Sequence, residues 1–555
     1  MQYRLCQKVP TEDRIQLATD VYLPDGPGPF PTILVRTPYH RVGQFGGAGA
    51  FVSRGYALVA QDCRGKYDSE GDYVPLAYEA DDGKETLDWI ANQRWCNGRI
   101  GMWGRSYLGI VQVPAASCGH EALKCIVPSV APGSFFVDWL RYDGCFALAN
   151  AVRWSLTSAT CRNRPPFDHI DWPALWRLNT PEAIAETAGF ETPVLRNWAS
   201  HDVYDSYWAA VDQVPMHEHV RVPGLHVGGW FDHLTRGQFE AYAGIRDRGA
   251  SDDARQGQRL LIGPWGHQTV GNTGPGHSQY GNWDFGTEAD LRVMAHEFQC
   301  LDHYLKDLDN GFSTQQPVKL FLMGQNRWIS LSDWPAPEAE ERVLYLGSDG
   351  SANMRTGDGG LSTTEPGDAR EDSYVHDPAD PVPTLGGPIY WGIEPKGPVD
   401  QRPNLQRTDV LYYRGERLGS ATAVVGEPEI TLYVASDAVD TDFIARLCVE
   451  EASGAVTCLT LGSARCRYRD SWAAPKELVK GEVTPIRIRL TQTGYVFPEG
   501  SRIGLMVSSS DFPRIESHTN TMAPPLSGAA GQPATNSVHH GPGALSSLRL
   551  PILDV

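Results

Sequence analysis

Ser106 lies in the run R-I-G-M-W-G-R-S-Y-L-G-I-V-Q (99–112), with Gly104 two residues before it and Gly109 three after. A short apolar strand leads in and an apolar helix leads out. Glycines are needed where a tight turn brings strand and helix together and strains the residue at its tip. A serine presented this way can act as a nucleophile if a base takes its proton and a carboxylate orients the base. The common form of the turn is G-x-S-x-G. Here the second glycine comes one residue late, and Leu108 takes its place. A plain Gly-Ser turn between strand and helix would read the same way, so the partners of the serine decide.

Both partners occur downstream. G-G-W-F-D (228–232) follows the apolar run L-H-V, and G-P-W-G-H (263–267) follows L-L-I. Ser106, Asp232 and His267 each fall at the end of a short strand, in the order serine, acid, histidine found in α/β hydrolases. The rivals are weaker. His226 lies inside a strand, His233 abuts the acid, Asp205 falls in a helical region, and His539 and His540 fall in a Pro/Gly-rich tail. The chemistry is acyl transfer. Ser106 attacks a carbonyl, and His267 takes the serine proton and hands it to the leaving group. The oxyanion needs preorganised donors. The Tyr107 N–H is the first. The second should come from the loop R-T-P-Y-H (36–40), where Tyr39 offers either a donor hydroxyl or an aromatic wall.

The elements that must hold these residues alternate. A hairpin is expected over 3–24, strands over 32–37, 56–61 and 123–130, and helices over 45–55 and 79–93. The sheet resumes at 224–229 and 259–263, and a final amphipathic helix covers 288–305. Such alternation predicts a mostly parallel sheet whose carboxyl ends carry the ligand. Residues 134–215, rich in Trp and Tyr, read as an inserted helical cap without strands. From 316 onward short alternating runs (318–323, 343–346, 410–413, 430–434, 443–449, 486–490, 503–507) predict an all-β sandwich. The stretches 347–372 and 519–546 read as irregular. The expected organisation is a hydrolase domain over 1–133 and 216–315, the cap over 134–215 and the sandwich over 316–555.

Bulk properties narrow the partners. With 48 basic and 67 acidic residues the net charge is −19, which disfavours nucleic acid and anionic membrane surfaces. No run approaches the length of a membrane span, and the N-terminus lacks the charged flank and apolar core of a signal peptide. The eleven cysteines are scattered without a C-x-x-C, as expected of reduced thiols in a cytoplasmic protein. No H-E-x-x-H or Cys/His cluster marks a metal site.

The chain resembles the cocaine-esterase-type branch of the X-prolyl dipeptidyl peptidase superfamily. The resemblance rests on R-T-P-Y (36–39), A-Q-D-C-R-G-K-Y-D-S-E-G (60–71), G-M-W-G-R-S-Y-L-G (101–109), G-G-W-F-D, G-P-W-G-H, S-S-S-D-F-P-R (508–514) and T-N-T (519–521). It implies an α/β-hydrolase domain, a helical cap and a C-terminal jelly-roll sandwich. It puts the nucleophile on Ser106, the acid on Asp232, the base on His267 and the oxyanion hole on Tyr39 with the Tyr107 N–H. It implies no cofactor, and it allows a homodimer. Asp62 and Arg64, in the D-x-R-G segment, read as structural. Relatives that act on α-amino acid esters place acidic residues shortly after the triad aspartate; here the positions two and three after it are Leu234 and Thr235. Asp138, Asp143, Asp202 and Asp205 in the cap are the remaining carboxylates that could meet an ammonium. The expectation is a carboxylesterase on small esters with an acyl pocket walled by Trp139, Tyr142, Phe146, Trp154, Trp230 and Phe231. Hydrolysis of small amides by the same triad is the alternative, and a non-catalytic binding protein is the third reading.

Overall fold

The computed structural model describes residues 1–160, 162, 167–271, 278–389 and 393–555. Its first layer is a ten-stranded sheet. The strands are β1 (Gln2–Pro10), β2 (Gln16–Leu23), β3 (Phe30–Thr37), β4 (Ala57–Asp62), β5 (Cys96–Arg105), β6 (Leu123–Ser129), β7 (Gly224–Gly229), β8 (Gln258–Gly263), β9 (Val318–Leu322) and β10 (Arg327–Leu331). They run in the order β1-β2-β4-β3-β5-β6-β7-β8-β9-β10. From β4 to β9 all neighbours are parallel, while β1, β2 and β10 are antiparallel to theirs. Every residue of β4 and β7 is buried, as expected where helices cover both faces of a parallel sheet.

The helix Glu79–Ala91 opens with Glu79, Asp81 and Asp82, which suit the positive end of its dipole, and it buries Leu87 and Ile90 against the sheet. The final helix is shorter than expected. It spans Val293–Lys306, and a 3-10 turn occupies Thr287–Ala289 ahead of it.

The hydrolase sheet does not end near 315. The run 318–323, expected as the first strand of the sandwich, is β9 and pairs with β8, and β10 follows it. The alternation of V-K-L-F-L would suit either sheet, because local period does not say which neighbour a strand will find. The sandwich begins with the strand Glu340–Gly347, which pairs with the last strand of the chain, Ser547–Leu553. Three strands fall in stretches expected to be irregular: Gly360–Ser362, which lies within the first, Arg370–His376, which begins inside it, and Ala534–His540, which lies within the second. The last two pair with each other. Their inward positions mix polar residues (Asp372, His376, Asn536, His540) with Tyr374, Ala534 and Val538, so the period of two was blurred in a hydrophobicity reading. Asp372 is satisfied internally: His540 Nε2 lies 3.1 Å from its Oδ2, and the Tyr413 hydroxyl donates to the same oxygen at 2.8 Å.

Among its described residues the cap is helices and loops apart from one short hairpin, Arg141–Tyr142 against Cys145–Phe146. The sandwich grips it. Ser463 donates to the Tyr142 carbonyl at 2.7 Å, and the Ala149 N–H donates to the Pro513 carbonyl at 3.1 Å. The ten cysteines among the described residues are all free thiols; Cys161 lies outside them. No described helix is long and apolar enough to cross a membrane.

Candidate active site

Ser106 caps β5 with φ 56° and ψ −128°, a backbone that only a tightly held turn maintains. Its N–H donates to the Ser129 carbonyl at 2.9 Å, and its carbonyl accepts from Gly109 and Ile110 at 2.8 and 2.9 Å. The late glycine now has a reason. A Cβ at Gly109 would lie 2.8 Å from the Ser129 carbonyl oxygen, and one at Gly104 would lie 2.4 Å from Leu108 Cβ. The helix therefore crosses β6 at residue 109, and Leu108 packs with the core on the other side.

Tyr107 is fixed by its side chain. Its hydroxyl donates to Glu79 Oε1 at 2.8 Å and accepts from the Leu76 N–H at 3.0 Å. Glu79 is in turn held by the fully buried Arg36 at 2.7 Å. This network sets the direction of the Tyr107 N–H. Tyr39 meets it from the loop after β3, with ring centroids 6.3 Å apart in an edge arrangement. The indole N–H of Trp154 donates to the Tyr39 hydroxyl oxygen at 3.0 Å, which leaves the phenolic proton to be donated in another direction.

The two glycine-rich loops after β7 and β8 lock together. Phe231 N–H donates to the Trp265 carbonyl at 3.0 Å and Trp230 N–H to the Gly263 carbonyl at 2.9 Å. A Cβ on Gly229 would sit 2.2 Å from the Trp265 carbonyl oxygen, so no other residue fits there. The result is that His267 Nδ1 lies 2.9 Å from Asp232 Oδ1, with both side chains buried. Burial alone would raise the Asp232 carboxyl. The charge of His267 and the hydrogen bond from His233 outweigh it and hold the carboxyl well below the ordinary range. The loop carrying His267 is tied to the serine turn, because Arg105 Nη1 donates to the Val270 carbonyl at 2.6 Å.

The aromatic residues expected as pocket walls separate into two groups. Trp154 reaches Tyr39 and stacks on Tyr107, and Trp139 meets Trp154 edge-on at 5.1 Å. Tyr142 borders a small cavity beside His233, under the Arg514 guanidinium at 4.0 Å. Phe146 is fully enclosed behind Arg141. Trp230 and Phe231 are not walls. They turn away into the core shared with the sandwich, where Trp230 donates to the Phe321 carbonyl at 2.7 Å and Phe231 lies against Tyr280 and Phe285. Their place beside Asp232 in sequence misleads because neighbouring side chains of a loop can face opposite cores, as these do.

The rival residues have other partners. His226 pairs with Gln258 at 2.8 Å inside the sheet, and burial pulls it down to about 4. Asp205 caps the helix Ser206–Ala209 and meets His201 Nδ1 at 2.6 Å. Asp62 accepts from the Arg41 backbone N–H at 2.6 Å, and Arg64 pairs with Asp82 at 2.6 Å, as structural residues would. Among the described residues two groups have the spacing to hold a metal ion. In the first, Asp232, His233 and His267, the carboxylate is engaged by both imidazoles. In the second, His40, Asp62 and Asp68, Arg41 already supplies the cation to both acids. Sequence reasoning missed the Trp154 bond, the Arg105 tie and the Arg36–Glu79–Tyr107 chain, which join residues far apart in sequence.

Residues 13–269 match the family model of the X-Pro dipeptidyl-peptidase (S15 family), and residues 310–549 match that of the X-Pro dipeptidyl-peptidase C-terminal non-catalytic domain. The chain is 34% identical to a cocaine esterase of Rhodococcus sp. (strain MB1 Bresler), covering 98% of this chain and 97% of that one. It is 26% identical to a putative serine esterase of Mycobacterium bovis, over 92% and 91% of the two chains. Among solved structures, an aminopeptidase from a marine sediment Thaumarchaeota archaeon superposes with a TM-score of 0.85 at 27% identity, covering 100% of this chain and 96% of the other. An α-amino acid ester hydrolase does so with 0.83 at 28% identity, covering 99% and 96%.

Proposed function

Because the chain belongs to the cocaine-esterase-type branch of the X-prolyl dipeptidyl peptidase superfamily and is a serine ester hydrolase, we propose that Ser106, Asp232 and His267 are its catalytic triad and that it cleaves small carboxylic esters with neutral acyl groups. The observation that carries the reading is the buried 2.9 Å bond from His267 to Asp232, on a loop that Arg105 ties to the strained Ser106 turn. His267 takes the Ser106 proton as the serine attacks the carbonyl. The Tyr107 N–H and the Tyr39 hydroxyl hold the oxyanion. His267 then protonates the leaving alcohol, and water clears the acyl-enzyme by the same route.

The preference for a neutral acyl group rests on the cap carboxylates. Asp143 and Asp138 both face Arg236, at 2.9 and 3.6 Å. Asp202 lies 3.9 Å from Arg467, and Asp205 is held by His201. Leu234 is buried in the core, and Thr235 donates to the Asp232 carbonyl at 2.8 Å. Each of these four cap acids already faces an arginine or a histidine. A matched panel tests this. A neutral aryl or alkyl ester is expected to exceed its α-amino analogue by about tenfold or more in kcat/KM, since one unmatched buried charge costs at least that, and to exceed the corresponding amide because an amine leaves far less readily than an alcohol. Equal or better rates on the α-amino ester would refute the neutral-pocket reading, and better rates on the amide would turn the assignment to an amidase.

Tyr39 is tested separately. Tyr39→Phe keeps the ring and removes one oxyanion donor. The expected loss is about 10²–10³-fold in kcat with little change in KM. A loss under about threefold would make Tyr39 a wall rather than a donor.

A further inference from the structure

Asp232 carries two imidazoles, and the triad uses one. His233 Nδ1 lies 3.1 Å from Asp232 Oδ1, the same oxygen that His267 reaches at 2.9 Å. The Leu234 N–H arrives there as well, at 3.1 Å. The two rings stand 4.7 Å apart, tilted by 56°. The His233 side chain is 1% exposed and that of Asp232 is 0% exposed, so water does not compete for these bonds.

We infer that His233 is a positioning residue of the catalytic carboxylate: its Nδ1–H donates to Asp232, fixes the carboxylate's orientation, and tempers the basicity that Asp232 confers on His267. The inference rests on the triad reading above. A carboxylate oxygen shared among three N–H donors is more firmly oriented than one held by the base alone. Each added donor also withdraws charge from the bond to His267.

The surroundings support a neutral, donating His233. Around the pair stand His267 and Tyr280 from the chain after β8, Asp138, Tyr142 and Asp143 from the cap, Arg236 from the helix Thr235–Arg248, and Arg514 from the sandwich. Arg236 is matched by Asp143 and Asp138, and Arg514 by Asp511 at 3.2 Å. Burial pushes His233 down to about 4 against the pull of Asp232, so near neutral pH it acts as a dipole and not as a charge.

The test compares His233→Leu, which removes the donor at similar volume, with His233→Asn, which keeps an N–H near the Nδ1 position. The pH profiles of kcat and kcat/KM are measured on a neutral aryl ester and normalised to active sites titrated with a fluorophosphonate. The leucine variant is expected to lose about tenfold in kcat, the worth of one buried hydrogen bond to a charged group, with KM within about twofold. Its acid limb of kcat/KM should move to higher pH, because a less shared Asp232 stabilises the His267 imidazolium more strongly. The asparagine variant should recover both. A leucine variant that titrates fully yet keeps the wild-type limb overturns the inference. Should that variant fail to fold, His233→Gln, which places its N–H near the Nε2 position, must show the shifted limb, and a wild-type limb there overturns the inference equally. Absence of fluorophosphonate labelling in the wild-type protein would overturn the triad reading itself, which keeps the two failures apart.

Discussion

Ser106→Ala is expected to remove ester hydrolysis by roughly 10⁶-fold in kcat, with the protein folded and its thermal midpoint close to that of the wild type. The size follows from the role: without the hydroxyl no acyl-enzyme forms, and only the oxyanion donors and substrate binding remain to help water. The fold should survive because the turn is held by backbone. The Ser106 N–H bonds the Ser129 carbonyl and its carbonyl accepts from residues 109 and 110, none of which needs the side chain. Steady-state rates on an activated aryl ester, with circular dichroism on the same samples, check this. A folded alanine variant within about tenfold of the wild type would mean that another residue attacks.

The second large effect is Asp232→Asn. The wild-type carboxylate meets His267 Nδ1 and accepts from the Leu234 N–H on one oxygen, with His233 Nδ1 3.1 Å from that same oxygen. An asparagine has a single acceptor oxygen and adds an NH₂ donor where a second acceptor stood. If the amide turns its NH₂ toward His267, the imidazole is driven to the wrong tautomer, and in either orientation the imidazolium loses its counter-charge. The expected loss is about 10⁴-fold in kcat with KM changed little, comparable to loss of the orienting acid in other serine hydrolases. Measured kcat within about tenfold of the wild type would show that Asp232 does not orient the base.

How much of this was legible in the sequence depended on range. Ser106, Asp232 and His267 could be read because each lies at the end of a short apolar run beside glycines, and chain order supplied the rest. The strands β3 to β8 could be read for the same reason, since buried parallel strands are continuous apolar runs. What the sequence did not carry is pairing across distance. β9 has the pattern of a sandwich strand and joins the hydrolase sheet only because β8 leaves an edge for it. Trp230 and Phe231 sit next to the acid in sequence but face the opposite core. Arg370–His376 and Ala534–His540 bury polar side chains among apolar ones, so their alternation is only partly one of hydrophobicity. His233 was visible as a neighbour of the acid, but only the fold turns its ring back onto the carboxylate.

The central claim is that Ser106 is the nucleophile, and intact mass after exposure to a fluorophosphonate tests it most directly. One adduct per chain is expected, carried by the tryptic peptide that begins at Ser106, located on its first residue by fragmentation and absent from Ser106→Ala. No adduct on folded wild-type protein, or an adduct that persists in the alanine variant, would contradict the account.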